Sequence, residues 1–270
     1  MASPSGPPQP PSPVPPAPFA PPVLRLQDVS LRFAQGTQAL AGVSLQVEAG
    51  GCVALLGPSG CGKSTVLRLL AGLLAPTEGR VQAPAVDACE GAAQTAFVFQ
   101  EPTLMPWATV ADNVWLPLRL QGQTRAQASE RVQAMLSAVG LADFAQARPA
   151  QLSGGMKMRA SIARALVTEP RVLLMDEPFA ALDDFTRQRL QSELLQWRAR
   201  LQPATVCVTH NVAEAVFLAQ RVLVMAPSPG RVVAEIAVDM PYPRDPAWRR
   251  EPAFFERCAQ VAQAMEAALA

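Results

Sequence analysis

A glycine-rich octapeptide limits the folds that are open to this sequence. It fits the pattern G-x-x-x-x-G-K-[ST], which forms a phosphate-cradling loop between a strand and a helix. The apolar run Cys52 to Leu56 precedes it, and apolar residues at helical spacing follow from Ser64 to Leu74. Lysine occurs only twice among the 270 residues, so a chance match is rare. The candidate nucleotide-binding residues are Gly57, Pro58, Ser59, Gly60, Cys61, Gly62, Lys63, Ser64 and Thr65.

Each part of this loop suits a nucleoside phosphate. Glycines let successive backbone N–H groups turn inward around phosphate oxygens, and the following helix adds the positive end of its dipole. Lys63 would reach the β- and γ-phosphates, and the Ser64 hydroxyl would bind Mg²⁺. We therefore expect this loop to bind a nucleotide together with Mg²⁺.

Two adjacent carboxylates form the second feature. Asp176 and Glu177 follow the apolar run Val172 to Met175, which has the character of a buried parallel strand. The carboxyl ends of such strands face the ligand crevice of an open α/β sheet. Asp176 would hold Mg²⁺ through water, and Glu177 would act as general base toward the attacking water. Taken alone, the pair is equally compatible with a solvated turn.

Two further strands end in one polar residue each. Gln100 follows Thr95 to Phe99, and His210 follows Thr205 to Val208. Gln100 would complete the metal or water shell, and His210 would contact the γ-phosphate or orient the water. A lone histidine after a strand is otherwise more often a structural cap than a catalyst.

A second anion site is predicted at the start of another helix. Ser153, Gly154 and Gly155 precede a helical stretch that runs to about Thr168 and would expose backbone N–H groups. One triphosphate cannot obviously use both this end and the glycine-rich loop within one domain. The second site is therefore expected to serve another subunit, with an ordinary Ser153 helix cap as the alternative.

The chain divides into three segments by composition. Residues 1–22 hold eleven of the 27 prolines and predict a disordered tail. Residues 23–238 alternate strands with helices, which predicts a parallel core sheet covered on both faces, preceded by β-rich runs and interrupted by a helical insertion at about 101–167. Residues 239–270 form a tail with an amphipathic helix at about 252–269. The expected fold class is α/β, with a parallel core sheet, an N-terminal antiparallel β-subdomain and a helical insertion.

Charge and cysteine content exclude several classes. A net charge of +1 gives no sequence-wide footprint for nucleic acid or an anionic membrane. Five dispersed cysteines favour neither a disulfide framework nor a zinc cluster, which points to a reducing compartment. No apolar stretch is long enough to span a bilayer, and no secretory signal is expected at the N-terminus.

The motifs GPSGCGKST, FVFQEP, LSGGM, LLMDEP, AALD and VTH, in this order, resemble the nucleotide-binding subunit of ATP-binding cassette transporters. The resemblance covers about residues 23–238 and implies that two copies pair head to tail. Each ATP would then lie between the glycine-rich loop of one copy and the LSGG-type signature of the other.

The resemblance also implies roles for single residues. Gln100 becomes the lever in the loop that touches the membrane partner, Glu177 the catalytic base and His210 the switch histidine. Asp183 would lie in the loop that crosses the dimer interface. Phe33 falls where the family places an aromatic that stacks on adenine, with a core phenylalanine as the alternative. One departure is Met156, where the family more often has Gln; ATP binding is expected to survive it.

The details FVFQEPTLMPWATVADNV, DEPFAALD and APSPGRVVAEIAVDMPYPRD look most like the importer branch for nitrate, aliphatic sulfonates and taurine. Some relatives in that branch carry thiamine or pyrimidine precursors. The resemblance implies transmembrane permease subunits as partners, a solute-binding protein as an indirect one, and a peripheral place on the cytoplasmic face of the bacterial inner membrane.

Two other functions compete with this one. A soluble cassette ATPase acting on DNA or ribosomes fits poorly, because the stretch from Gln100 to Ser153 leaves no room for a long coiled coil and the chain holds one cassette. A non-hydrolysing regulatory module would be expected to lack Glu177 or His210, and both are present. The sequence therefore favours an ATP-hydrolysing import subunit.

Overall fold

A computed structural model describes residues 23–87 and 94–269 of the chain. The predicted tail at residues 1–22 and Cys89 lie outside these ranges. The strands are β1 (Leu24–Arg32), β2 (Gln38–Val47), β3 (Cys52–Leu56), β4 (Glu78–Gln82), β5 (Thr95–Val98), β6 (Val172–Asp176), β7 (Ala204–Thr209), β8 (Arg221–Ala226) and β9 (Arg231–Ala237). The helices are α1 (Lys63–Leu70), α2 (Pro84–Asp87), α3 (Val110–Leu120), α4 (Arg125–Ala138), α5 (Gly154–Leu166), α6 (Asp184–Leu201), α7 (Val212–Leu218) and α8 (Pro252–Leu269).

A six-stranded sheet in the order β5-β6-β7-β3-β8-β9 forms the centre of the molecule. The pairs from β5 to β8 are parallel, and β9 joins the edge antiparallel to β8. All residues of β3, β6 and β7 are buried, as expected for strands covered on both faces. The predicted α/β fold with a parallel core sheet is confirmed.

A separate three-stranded antiparallel sheet has the order β2-β1-β4. Leu24, Leu26, Val29 and Leu31 of β1 are buried and pack, together with one face of the central sheet, in a shared hydrophobic cluster. One of the β-rich runs predicted before the core sheet forms β2, which begins at Gln38 and pairs with β1 as far as Arg32. This sheet brings the turn after β1 to the glycine-rich loop.

Helices α3, α4 and α5 enclose a hydrophobic cluster of their own. Each begins at a hydroxyl side chain that accepts a hydrogen bond from a backbone N–H in the first turn: Thr109, Thr124 and Ser153. The predicted helical stretch between 101 and 167 thus consists of three capped helices joined by loops and short 3₁₀ turns.

The C-terminal segment packs back onto the central sheet, where α8 contacts α7 and β8. Arg244 is buried and donates to the carbonyls of Val216, Phe217 and Ala219, the last residues of α7 and the one after it. Such carbonyls have no partners within the helix, and a cation at this end suits the helix dipole. Burial lowers the pKa of Arg244 to about 10.

Candidate functional site

The glycine-rich loop connects the buried end of β3 to the first turn of α1, as predicted. Gly62 precedes the helix with φ +95°, in the left-handed region that favours glycine, and supplies no capping side chain. At Gly57 an added Cβ would lie 2.5 Å from the Met225 carbonyl oxygen, so no larger residue fits. The loop backbone therefore passes close to β8 and leaves the helix N–H groups free of side-chain caps.

The ammonium group of Lys63 lies inside the curve of this loop. The residue is only 6% exposed. Its Nζ donates to the carbonyl oxygens of Gly57 at 2.8 Å and Pro58 at 2.7 Å. An ammonium group carries three donors and no acceptor, so these bonds hold a fixed positive charge beside the uncapped N-terminus of α1. The two together make a concave site for an anion.

Asp176 ends β6 and lies against the first turn of α1. It is buried, and burial raises the pKa of its carboxyl group, while a hydrogen bond with the Ser64 side chain lowers that pKa. The charge of neighbouring Glu177 raises it further. The predicted proximity of the Ser64 hydroxyl and the Asp176 carboxylate is present in the structure.

Glu177 leaves the strand in an unusual backbone conformation. Its φ of +46° lies in the left-handed region, which is costly for a residue with a Cβ. The Glu177 N–H donates to the carbonyl of Val208 at 3.0 Å, which anchors the turn to β7. The side chain reaches His210, whose Nδ1 lies 3.2 Å from Oε2 of Glu177. An ionised carboxylate only accepts, so the Nδ1–H tautomer of His210 is the donor.

These groups surround one cleft of about 560 Å³. Phe33 lies on its wall with 41% of its surface exposed, so an aromatic face is available for stacking. The predicted site residues that line it are Phe33, Ser59, Gly60, Gly62, Lys63, Ser64, Thr65, Gln100, Glu177 and His210. Five separate stretches of the sequence therefore line the same cleft. The two most distant predicted residues, Phe33 and His210, are 177 positions apart.

Eight of the predicted site residues do not line this cleft: Gly57, Pro58, Cys61 and Asp176 lie next to lining residues in the sequence, and Ser153, Gly154, Gly155 and Asp183 lie at the starts of other helices. Ser153 caps α5, where its Oγ accepts from the Met156 N–H at 3.3 Å, and Gly154 and Gly155 form the first turn behind it. Asp183 caps α6 and accepts from the Thr186 N–H at 2.9 Å. That hydrogen bond lowers the pKa of the exposed Asp183 carboxyl group. One copy of the chain therefore leaves the second anion site away from the first.

The cleft is also lined by residues that the sequence did not point to. Thr37, Gln38 and Ala39 come from the turn and the start of β2, and Ser228 comes from the turn between β8 and β9. They reach the site through tertiary packing, as the bridge between Leu40 and Gly230 illustrates. The neighbourhood of Phe33 along the chain was the one signal for Thr37.

The oxygen donors beside the loop fit a magnesium ion better than a softer metal. Ser64, Asp176 and Gln100 offer hydroxyl, carboxylate and amide oxygens, which are hard ligands. Among residues 23–87 and 94–269, no group of three or more His, Cys, Asp or Glu side chains is placed to hold a metal. Mg²⁺ usually binds only a few protein ligands in such sites, because phosphate oxygens and water molecules complete its coordination shell.

Residues 40–180 match the family model of the ABC transporter. The chain is 43% identical to an aliphatic sulfonates import ATP-binding protein of Burkholderia cenocepacia over 246 residues, which are 91% of this chain and 88% of the relative. It is 42% identical to a nitrate import ATP-binding protein of Synechocystis over 229 residues, which are 83% of this chain and 86% of the relative.

A solved structure is similar to the described fold. It is a dimeric ATP-binding cassette in a post-hydrolysis state, bound to ADP and Pi. The two superpose with a TM-score of 0.74 at 31% sequence identity, over 80% of this chain and 99% of that one.

Proposed function

This chain belongs to the ABC transporter family and is an ATP-binding, ATP-hydrolysing cassette, and from that premise we propose that it energises an importer of nitrate, an aliphatic sulfonate or the sulfonate taurine. The cleft carries the mechanistic part of the proposal, because it places Lys63, Ser64, Gln100, Glu177 and His210 around one space beside the glycine-rich loop.

The loop and α1 would bind the triphosphate of ATP. Lys63 would supply a positive charge for the β- and γ-phosphates. Its Nζ now donates to the carbonyls of Gly57 and Pro58, and phosphate oxygens would replace these acceptors when ATP binds. Phe33 would stack on the adenine at the other end of the cleft.

Mg²⁺ would be held by Ser64 directly and by Asp176 through water, with Gln100 completing the shell. When bound, the ion neutralises phosphate charge. Ser64 and Asp176 are already joined by a hydrogen bond, so their oxygens are preorganised for this role.

Glu177 would accept the proton of the attacking water. Its carboxylate is held at the cleft by the Nδ1–H of His210, which also orients it. The position of Glu177 on the wall of the cleft supports this role, because a general base must lie within hydrogen-bond reach of the proton that it takes. His210 would contact the γ-phosphate with its other ring nitrogen.

A second copy of the chain would complete each site. Ser153, Gly154, Gly155 and Asp183 lie outside the cleft of their own copy, at the exposed beginnings of α5 and α6. A head-to-tail dimer would bring the helix N-terminus at Ser153 to the phosphates bound by the partner copy. The dimeric state of the similar cassette structure supports this arrangement.

The permease would contact a groove of about 350 Å³ beside β5. Phe97, Leu116 and Leu120 line it, and Leu120 is 80% exposed. Arg164 in the same groove donates to the backbone and side-chain oxygens of Thr103, in the loop that carries Gln100 toward the cleft. A short amphipathic segment of the permease seated here would therefore act on the loop that contains Gln100.

This partner places the cassette at the cytoplasmic face of the bacterial inner membrane in our proposal. Within the described ranges, no helix has the length and apolarity needed to cross a bilayer. Attachment would come from the permease. Because the cassette does not touch the cargo, the names of its relatives are what supports the cargo class.

Co-purification from membranes tests the whole proposal. The permease should accompany the wild-type chain, and Leu120→Asp should lose it, while Leu73→Asp, at an exposed position outside the groove, should keep it. The solute-binding protein of the same complex should then bind nitrate, a sulfonate or taurine. Recovery with ribosomes and without a permease would contradict the proposal.

A further inference from the structure

A carboxyl group that the proposed mechanism does not use lies buried behind the cleft. Glu214, in the first turn of α7, is 5% exposed. Its N–H donates to Oδ1 of Asn211, the cap of that helix, at 3.0 Å. Its Oε2 accepts from Nε2 of Gln191 on α6 at 3.2 Å. A buried acid usually has such partners, so its place here needs no strain.

A small polar cavity of about 60 Å³ joins Glu214 to the site. A buried water molecule needs about 10–15 Å³ of such space and polar groups to bind. This cavity therefore has room for one or more water molecules. The polar residues that line it are Glu177, Arg187, Thr209, His210, Asn211 and Glu214. Glu177 and His210 line both this cavity and the larger cleft, so they separate the two spaces.

The surroundings of Glu214 place its protonation change near neutral pH. Its pKa is raised to about 7, chiefly by burial and in part by the charge of Glu177. A hydrogen bond with the Thr209 side chain and the charges of Arg187 and Arg249 lower it. These groups come from β6, β7, α6 and the C-terminal segment, the elements packed around it. Glu214 can therefore both accept and release a proton under ordinary conditions.

We propose that Glu214 receives, through water in the small cavity, the proton that Glu177 takes from the attacking water. This inference rests on the proposed function, in which Glu177 is the general base. Breaking the O–H bond of the attacking water leaves hydroxide for the phosphorus and protonates Glu177. Transfer through a cavity water then restores the Glu177 carboxylate and leaves Glu214 protonated, and its later ionisation returns the proton to solvent. Glu214 does not touch the nucleotide and acts only through Glu177, so we describe it as a positioning residue and not as a catalytic one.

The C-terminal segment reaches this acid through Gln191. Nη2 of Arg249 donates to Oε1 of Gln191 at 2.6 Å, while Nε2 of the same amide donates to Glu214. The Arg249 guanidinium also stacks on the ring of Phe217 on α7, 3.4 Å from its centroid. Arg249 therefore favours the ionised form of Glu214 from a segment outside the predicted cassette boundaries.

Glu214→Gln tests the relay with little change in shape, since its amide oxygen still accepts from Gln191. We expect kcat for ATP hydrolysis at pH 8 to fall roughly tenfold, less than the 100-fold or more that loss of a general base causes. The wild-type enzyme should lose activity below about pH 7, where Glu214 becomes protonated. This loss should be absent in Glu214→Gln and present in Glu214→Asp. Binding of a fluorescent nucleotide should not change.

Arg249 supplies an independent measurement. Arg249→Gln removes a charge that lowers the pKa of Glu214, so the acid limb of the kcat profile should move to higher pH. Arg249→Lys should keep the wild-type profile, and Arg249→Gln should produce no shift in the Glu214→Gln background. If Glu214→Gln fails to fold, the Arg249 variants decide the question.

The outcomes separate this inference from the proposed function. An inactive Glu177→Gln combined with a Glu214→Gln that keeps the wild-type kcat and acid limb would overturn the relay and leave the base assignment intact. Turnover by Glu177→Gln would instead remove the base assignment itself. Identical profiles for Arg249→Gln and Arg249→Lys would also overturn the relay.

Discussion

Nδ1 of His210 lies 3.2 Å from Oε2 of Glu177, although the two residues are 33 positions apart in the sequence. Neighbouring strands β6 and β7 carry the two side chains, and the N–H of Glu177 is itself bound to the carbonyl of Val208 on β7. The pair is therefore positioned by the central sheet. A substitution of one partner should change the orientation of the other.

Glu177→Gln should leave ATP binding intact and stop turnover, because an amide keeps the shape of the side chain and cannot accept the proton. We expect kcat to fall by about 10²- to 10⁴-fold. An ATP-bound dimer should accumulate and be visible by sedimentation with saturating MgATP. Sustained turnover, with monomers as the one species observed, would contradict the role of Glu177.

Lys63→Ala should abolish tight MgATP binding. The lost ammonium leaves the β- and γ-phosphate charge without its buried partner, which costs about 2–3 kcal/mol, or roughly 30- to 150-fold in Kd. Titration with a fluorescent nucleotide measures this. Lys157→Ala is the matched control, since it removes the other lysine of the chain and lies outside the cleft. Equal affinities for the two variants would show that the loop is not the nucleotide site.

Mixing two inactive variants should restore activity if each ATP needs Lys63 from one copy and Ser153 from the other. In a heterodimer of Lys63→Ala and Ser153→Arg, one site loses both groups and the other keeps both. Random pairing makes about half of the dimers mixed, so turnover should approach roughly a quarter of the wild-type value for independent sites. Coupling between sites lowers this figure, and sedimentation then detects the mixed dimers.

Absence of both recovered turnover and mixed dimers, with each variant shown to be folded by circular dichroism, would make Ser153 a helix cap within its own copy. The hydrogen bond from the Met156 N–H to Ser153 Oγ is the contact that would remain.

Protein stability should fall with rising pH because of Glu214. The pKa of this group is raised from 4.5 to about 7 in the folded state, so the folded chain binds more protons than the unfolded chain above about pH 4.5. The resulting loss develops between about pH 4.5 and 7 and amounts to about 3 kcal/mol. Thermal melts of wild type and Glu214→Gln at pH 5 and pH 8 measure it: the wild-type Tm should drop more. Parallel changes would contradict the raised pKa.

The central sheet could be predicted from sequence because its strands are buried on both faces and read as continuous apolar runs. Strand β4 could not, since Glu78–Gln82 contains one buried apolar residue and is stabilised by pairing with β1. Apolar residues at helical spacing predict that the helix after the loop continues to Leu74. It ends at Leu70 because Gly72 adopts φ +69° and turns the chain.

The site was predicted where a motif fixes chemistry to a position in sequence, as at Lys63 and Glu177. Ser228 and Gln38 were missed because their places depend on how the antiparallel sheet packs against the loop. The small cavity and Glu214 were missed for a related reason: nothing in the order of residues reveals that an acid on a short helix is buried against two arginines.

The left-handed backbone conformation of Glu177 places a residue that is needed for activity where it lowers thermal stability. A residue with a Cβ gives up roughly 1–2 kcal/mol in this conformation, a penalty that glycine escapes. We therefore expect Glu177→Gly to be catalytically inactive and free of this backbone strain. Glu177→Gln should also be inactive but should keep the strain. For crystallisation or for engineering a heat-resistant scaffold, the glycine variant is the better starting point.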